Sequence, residues 1–157
     1  MNIFFLDKSP KKSAQYQCDK HVVKMILESA QIMSAVHHLI GNSRPELYRL
    51  THQTHPCVLW LKESKTHYQW LFEHYKALCN EYTYRYNKKH KSEMLASILS
   101  DIPIELPDKE FSWSLRVTDN DIVDVILSYR QYYINKYRAM KMTWRNRPKP
   151  HFMEFLA

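Results

Sequence analysis

Glycine is almost missing. Gly41 is the only one in 157 residues, where average usage of about 7% would place roughly eleven. A Walker loop or a dinucleotide-binding fingerprint needs several glycines at fixed offsets, so nucleotide chemistry on those scaffolds is excluded. A many-turned β-sandwich or barrel is disfavoured for the same reason, and no serine stands in a glycine-flanked elbow, which argues against a serine hydrolase. Paired cysteines are missing too: Cys18, Cys57 and Cys79 are odd in number and contain no Cys-x-x-Cys. No apolar run approaches the ~18 residues of a membrane span, and Met1-Asn2-Ile3-Phe4-Phe5-Leu6 is cut off by Asp7 before it reaches signal-peptide length. The expectation is an intracellular protein with reduced thiols and no membrane association.

The residues that are present describe a helical chain. Its length suits one domain over residues 1–157, with an ordinary 45% apolar and 25% charged content. Ser9-Pro10 reads as a helix cap followed by proline at the first helical position. Asp19 restarts a helix whose apolar residues recur at Val22, Ile26, Met33, Val36 and Ile40, and Gly41-Asn42 ends it. His55-Pro56 opens a second stretch, continued by Tyr68, Leu71, Tyr75, Leu78 and Tyr82 to about Tyr86. Lys88 to Lys91 is a basic turn, and Ser92 to Leu99 a short helix. Residues 101–120 form an acidic loop with a brief strand expected near Phe111 to Val117. Thr118-x-x-Asp121 resembles a capping box for a third main helix beginning at Ile122. The predicted fold is mainly α: about three main helices and an extended basic carboxy-terminal tail.

Charge is unevenly placed. The chain carries +7 overall. Asp101 to Asp124 holds seven acids against Lys109 and Arg116, whereas Arg130, Lys136, Arg138, Lys141, Arg145, Arg147 and Lys149 face no acid at all between Arg130 and His151. Such a segment points to a polyanion, nucleic acid before membrane, although a solvated basic face reads as well on charge alone. Tyr132, Tyr133, Tyr137, Trp144 and Phe152 interleave with the cations. Cations hold phosphates and aromatics stack on exposed bases, with Trp144 the ring most expected to do so rather than pack in the core.

On the first long helix His21, Lys24, Glu28 and Gln31 fall within a sector of about 80°. The rest of that helix is apolar over more than half its circumference, so this polar stripe is expected to line a cleft. A carboxylate there, beside a lysine and a histidine, is a candidate acid/base or electrostatic stabiliser. The alternative is a solvated stripe with a Lys24–Glu28 pair. Cys18-x-x-His21 and His52-x-x-His55 with Cys57 have tolerable zinc spacing but lack the tight paired-ligand signature, and no metal is expected.

The segment Asp19-Lys20-His21-Val22-Val23-Lys24-Met25-Ile26-Leu27-Glu28 resembles the phage pyrimidine-dimer DNA glycosylase/AP lyase family. That family's first helix carries Asp-x-His near its start and a catalytic glutamate seven residues after the histidine, positions held here by His21 and Glu28. Ala35-Val36, His55-Pro56 with its long helix, and Thr143-Trp144 are similar in order along the chain. The resemblance implies a DNA repair glycosylase with lyase activity that removes a UV-dimerised pyrimidine from double-stranded DNA through an imine to the amino terminus. It needs no metal or diffusible cofactor, and the location implied is the host cell cytoplasm for a phage-encoded enzyme acting as a monomer. Glu28, His21 and the amine of Met1 or, after processing, Asn2 would be its catalytic groups. The family's arginines beside the glutamate are replaced by Leu27 and Gln31, so phosphate contacts fall to Lys20, Lys24 and Gln31, with Arg130, Arg138, Lys141, Trp144, Arg145 and Arg147 from the tail. Two rivals remain: an enzyme acting on modified pyrimidines without strand cleavage, and a non-catalytic nucleic-acid-binding protein.

Overall fold

The computed structural model describes residues 2–115 and 119–154. Its elements are α1 (Pro10–Tyr16), α2 (Asp19–Leu39), α3 (Pro56–Lys62), α4 (Lys65–Tyr86), a 3-10 turn (Lys91–Leu95), α5 (Ala96–Leu99), α6 (Val125–Lys136) and a final 3-10 turn (His151–Met153). No strand occurs among the described residues. The fold is mainly α, with α2, α4 and α6 as its main helices.

Local chemistry sets most of these boundaries. Ser9 caps α1 by accepting from the Lys12 N–H, with Pro10 at the first helical position. At the end of α2 the Gly41 N–H donates to the His38 carbonyl and the Asn42 N–H to that of His37. This closing motif requires a left-handed residue, and Gly41 supplies it at φ +79. His55 and Ser64 split the second helical stretch in two, each side chain accepting from the N–H two residues on. Asn87, at φ 56, ends α4.

The third main helix starts later than its capping-box pattern predicts. Thr118 lies outside the described residues. The Asn120 side chain takes the Ile122 N–H and exchanges two hydrogen bonds with Ser128, which ties residues 120–124 into a turn. Asp124 is the cap, accepting from the Leu127 N–H at 2.9 Å. The strand expected from Phe111 is also absent over residues 111–115. The backbone of Ser112 bonds to side chains instead, donating to His67 Nε2 and accepting from the Trp60 ring N–H. Phe111 and Trp113 then pack on Trp60 and Trp70.

Beneath the helices the chain start is threaded into the core. Ile3, Phe4, Phe5 and Leu6 are all at most 3% exposed. Phe5 meets Trp60, Trp70, Trp113 and Tyr129 edge-on or tilted, and full burial of one such ring is worth about 1.5–3 kcal/mol. An extended buried segment must place its backbone polar groups. Ser13 does this by accepting from the Leu6 N–H and donating to the Phe4 carbonyl, while Arg130 Nε donates to the Leu6 carbonyl.

The carboxy-terminal segment is irregular up to His151 and lies along the body. Thr143 Oγ1 and the Arg145 N–H donate to the Asp19 carboxylate, and Asp19 N–H donates back to the Thr143 carbonyl. Asp19 also pairs with Arg85, a guanidinium with no solvent exposure that donates to Glu81 and to the carbonyls of Gln15 and Gln17. Glu81 in turn holds Arg147 at 2.6 Å.

Candidate active site on the first long helix

The polar stripe of α2 is graded in exposure: His21 is buried, Glu28 and Gln31 are half-buried, and Lys24 is exposed. His21 stacks on Phe4 with ring centroids 4.1 Å apart, and its Nδ1 lies 2.6 Å from the Tyr133 hydroxyl. Burial, reinforced by Lys24 and Lys20, lowers its pKa to about 4. The ring is therefore neutral at physiological pH and packs against Phe4.

Two turns further along α2 stands Glu28. One of its carboxylate oxygens is shielded from solvent. His55 and Cys57, at the start of α3, are both within Coulombic reach of that carboxylate. Burial lowers the pKa of His55, and the Glu28 charge acts in the opposite sense. Burial likewise pushes the Cys57 thiol to about 12, with Glu28 adding to the rise, so this sulfur stays protonated and is no nucleophile. The Cys57 sulfur also meets the Ile3 N–H. Asn2 Oδ1 accepts from the Ile3 N–H and from the Tyr129 hydroxyl, each at 2.9 Å. Residues 2 and 3 are thus held between α3 and α6, beside the Cys57 that the Glu28 charge also reaches. Met1 lies outside the described residues.

His55 accepts the Cys57 N–H on Nδ1, which leaves Nε2 as its protonated nitrogen when the ring is neutral. His55, Cys57 and Tyr129 were not singled out from sequence as parts of the Glu28 site. In the sequence Cys57 stands out for zinc spacing alone, and His55 for that spacing and as the residue before proline at a helix start. Among the described residues no group of three or more His, Cys, Asp or Glu side chains is placed to hold a metal ion.

The expected phosphate contacts are dispersed. Lys20 is exposed and donates to the Met140 carbonyl. Lys24 opens onto a groove of about 680 Å³ beside Val23, Leu27, His90, Lys91 and Met94. Arg138, Lys141 and Arg145 are exposed, with the Arg145 guanidinium over the Tyr86 ring. Arg130 pairs with Asp7 and Arg147 with Glu81. Trp144 is half-buried, donates its ring N–H to the Tyr16 carbonyl at 2.7 Å and stacks beside Tyr137.

No helix among the described residues is long and apolar enough to cross a membrane. No curated protein and no solved structure matches the chain. A family model described as pyrimidine dimer DNA glycosylase matches residues 1–94. That span holds α1 to α4 and therefore Asn2, His21, Glu28, His55 and Cys57. A buried chain start beside a half-shielded glutamate, within a matched span covering more than half the sequence, leads to one conclusion: the chain belongs to the pyrimidine dimer DNA glycosylase family, enzymes of DNA repair.

Proposed function

We propose that the protein excises a UV-dimerised pyrimidine from duplex DNA and then cleaves the strand at the abasic site, with its amino-terminal amine as nucleophile and Glu28 as the charge-stabilising carboxylate. The observation that carries this reading is the convergence of residues 2 and 3 with Glu28 around Cys57. Consecutive Cα atoms are 3.8 Å apart, so an amine on residue 2 lies next to Ile3 and the Cys57 that Ile3 bonds.

An α-amine has an ordinary pKa near 8, more than two units below a lysine's, and a useful fraction is neutral at pH 7. Its lone pair attacks the sugar C1′. The glycosidic C1′–N bond breaks and its electron pair leaves with the base, which takes up a proton. Opening of the C1′–O4′ bond with protonation of O4′ then leaves a protonated imine joining C1′ to the chain. Removal of a C2′ proton expels the 3′ phosphate by β-elimination, and water hydrolyses the imine to free the amine. Glu28 stabilises the cationic sugar and moves protons in the later steps. The duplex must open for the amine to reach C1′, and damaged steps open at lower cost. Lys20, Lys24 and Gln31 flank this site on the same helix, and Lys141 and Arg145 extend the contact along the backbone.

Glu28→Gln should bind damaged duplex as the native chain does and lose about a hundredfold or more in single-turnover base release. Borohydride should cross-link abasic DNA to the peptide carrying residue 1 or 2. A cross-link at an internal lysine such as Lys24, or undiminished release by Glu28→Gln, would sink the assignment. Leu27 and Gln31 favour one second reading, removal of a modified pyrimidine without strand cleavage. Base release with no borohydride adduct and no nick would establish it instead.

A further inference from the structure

The groove beside Lys24 is walled on one side by α2 and on the other by the turn that follows α4. Val23 and Leu27, each 37% exposed, form its floor, and Met94 projects from the opposite wall at 64% exposure. Lys24 and Lys91 stand on its rims, and Lys88 and Lys89 continue the basic edge, with Lys89 reaching Glu93 at 3.4 Å.

This turn is held rigidly. His90 Nδ1 accepts the Ser92 N–H and Nε2–H donates to the Val23 carbonyl on α2. The Ser92 hydroxyl meets the Tyr48 hydroxyl at 2.7 Å, and the Ser92 carbonyl accepts from Tyr75. Burial lowers the pKa of His90, which keeps this two-sided bonding in force at neutral pH. An exposed thioether on an anchored turn, ringed by lysines, has the make-up of an apolar wedge that enters a base step while cations hold the flanking phosphates. Lys24, on the rim of the groove, lies one turn before Glu28 on the same face of α2.

We propose that the turn of residues 88–94 is a second DNA-binding element, in which Lys88 and Lys91 grip the phosphate backbone and Met94 wedges an opened base step next to the nucleotide presented to Glu28. It supplies cations alongside a helix whose Leu27 and Gln31 carry none. The inference rests on the proposed DNA chemistry at Glu28 and extends it to where the duplex lies.

The test uses the full chain and fluorescence anisotropy on undamaged, lesion-bearing and mismatched duplexes over a salt series. Lys88→Gln with Lys91→Gln should weaken binding to all three alike and reduce the slope of log affinity against log salt by about 0.9 for each lost contact. Met94→Ala should leave that slope unchanged and lower affinity for the mismatched and lesion duplexes about tenfold relative to the undamaged one. All three side chains are exposed, so unchanged thermal midpoints serve as the folding control. An unaltered salt slope in the lysine variant, or an equal loss on every duplex for Met94→Ala, overturns the proposal. Glu28→Gln run in parallel separates the two ideas. Should it retain excision, the chemistry at Glu28 falls, while the binding slopes still judge the turn.

Discussion

The two ends of the chain are fastened by opposite chemistry. The amino-terminal segment is held mainly by neutral groups: Asn2 on Tyr129, Ser13 on the Phe4 and Leu6 backbone, His21 stacked on Phe4, and His74 on the Pro10 carbonyl. Asp7–Arg130 is the ion pair at its far end. The carboxy-terminal segment is fastened by charge, through Asp19, Arg85, Glu81 and Arg147. A seven-cation run is therefore not seven free cations. Part of it holds the fold, and further exposed cations lie elsewhere, on Lys24 and the 88–91 turn. The neutral fastening also suits a chain start proposed as a nucleophile, because it orders residues 2 and 3 by hydrogen bonds to neutral partners.

The largest expected effect is on the neutral end. Burial lowers His21 and His74 each to about 4, against about 6.5 in an unfolded chain. Between these values the unfolded state binds more protons, so stability is fully present above pH 6.5 and falls as the pH drops toward 4. Each histidine contributes a loss on the order of 3 kcal/mol by pH 4. Urea denaturation at a series of pH values checks this. His74→Gln, which retains a polar contact without titrating, should reduce the slope by the His74 share and leave the rest, and a flat stability between pH 6.5 and 4 would contradict the assignment.

Next in size is the charged end. Arg85→Met leaves the half-buried Asp19 and buried Glu81 carboxylates without their shared partner and strips the Gln15 and Gln17 carbonyls of a donor. Breaking one member of a buried pair costs about 3–5 kcal/mol, and a domain of this size loses roughly 2–4 °C per kcal/mol, so the thermal midpoint should drop by about 10 °C. Limited proteolysis should cut first near residues 143–149, where Asp19 and Glu81, no longer fixed by Arg85, hold the segment less firmly. Initial cutting near the amino terminus instead would mean that the two fastenings are not independent.

Much of this was legible in sequence because its causes are local. Ser9-Pro10, His55-Pro56 and Gly41-Asn42 mark helix ends through residues that satisfy backbone groups within a turn, and the Asp19 to Glu28 segment lies on the long helix that its apolar spacing predicts. What was not legible depends on distant partners. The later start of α6 is set by Asn120 bonding Ser128 as well as Ile122. The alternating aromatics of residues 111–115 imitate a strand, but their backbone partners are His67 and Trp60 side chains. The acceptors of Arg130 and Arg147 lie 123 and 66 residues away, so no inspection of the basic run could separate its structural cations from its free ones. His55 and Tyr129 likewise reach the Glu28 site only through tertiary packing.

The smallest effect separates two neighbouring arginines that sequence treats alike. Arg145 is exposed, with its guanidinium lying over Tyr86, whereas Arg147 donates to Glu81 at 2.6 and 3.2 Å and sits 4.2 Å over the Tyr84 ring. If the tail meets phosphate, Arg145→Gln should lower the salt slope of duplex binding by about 0.9 and leave stability nearly unchanged. Arg147→Gln should do the reverse. Arg85 still partners Glu81 in that variant, so the stability loss should be only about 1 kcal/mol, and the salt slope should match the native chain. Paired melting curves and anisotropy titrations read both quantities. Equal slopes for the two variants would mean that Arg147 leaves Glu81 when DNA binds, and the division between fastening and contact would then hold only for the free protein.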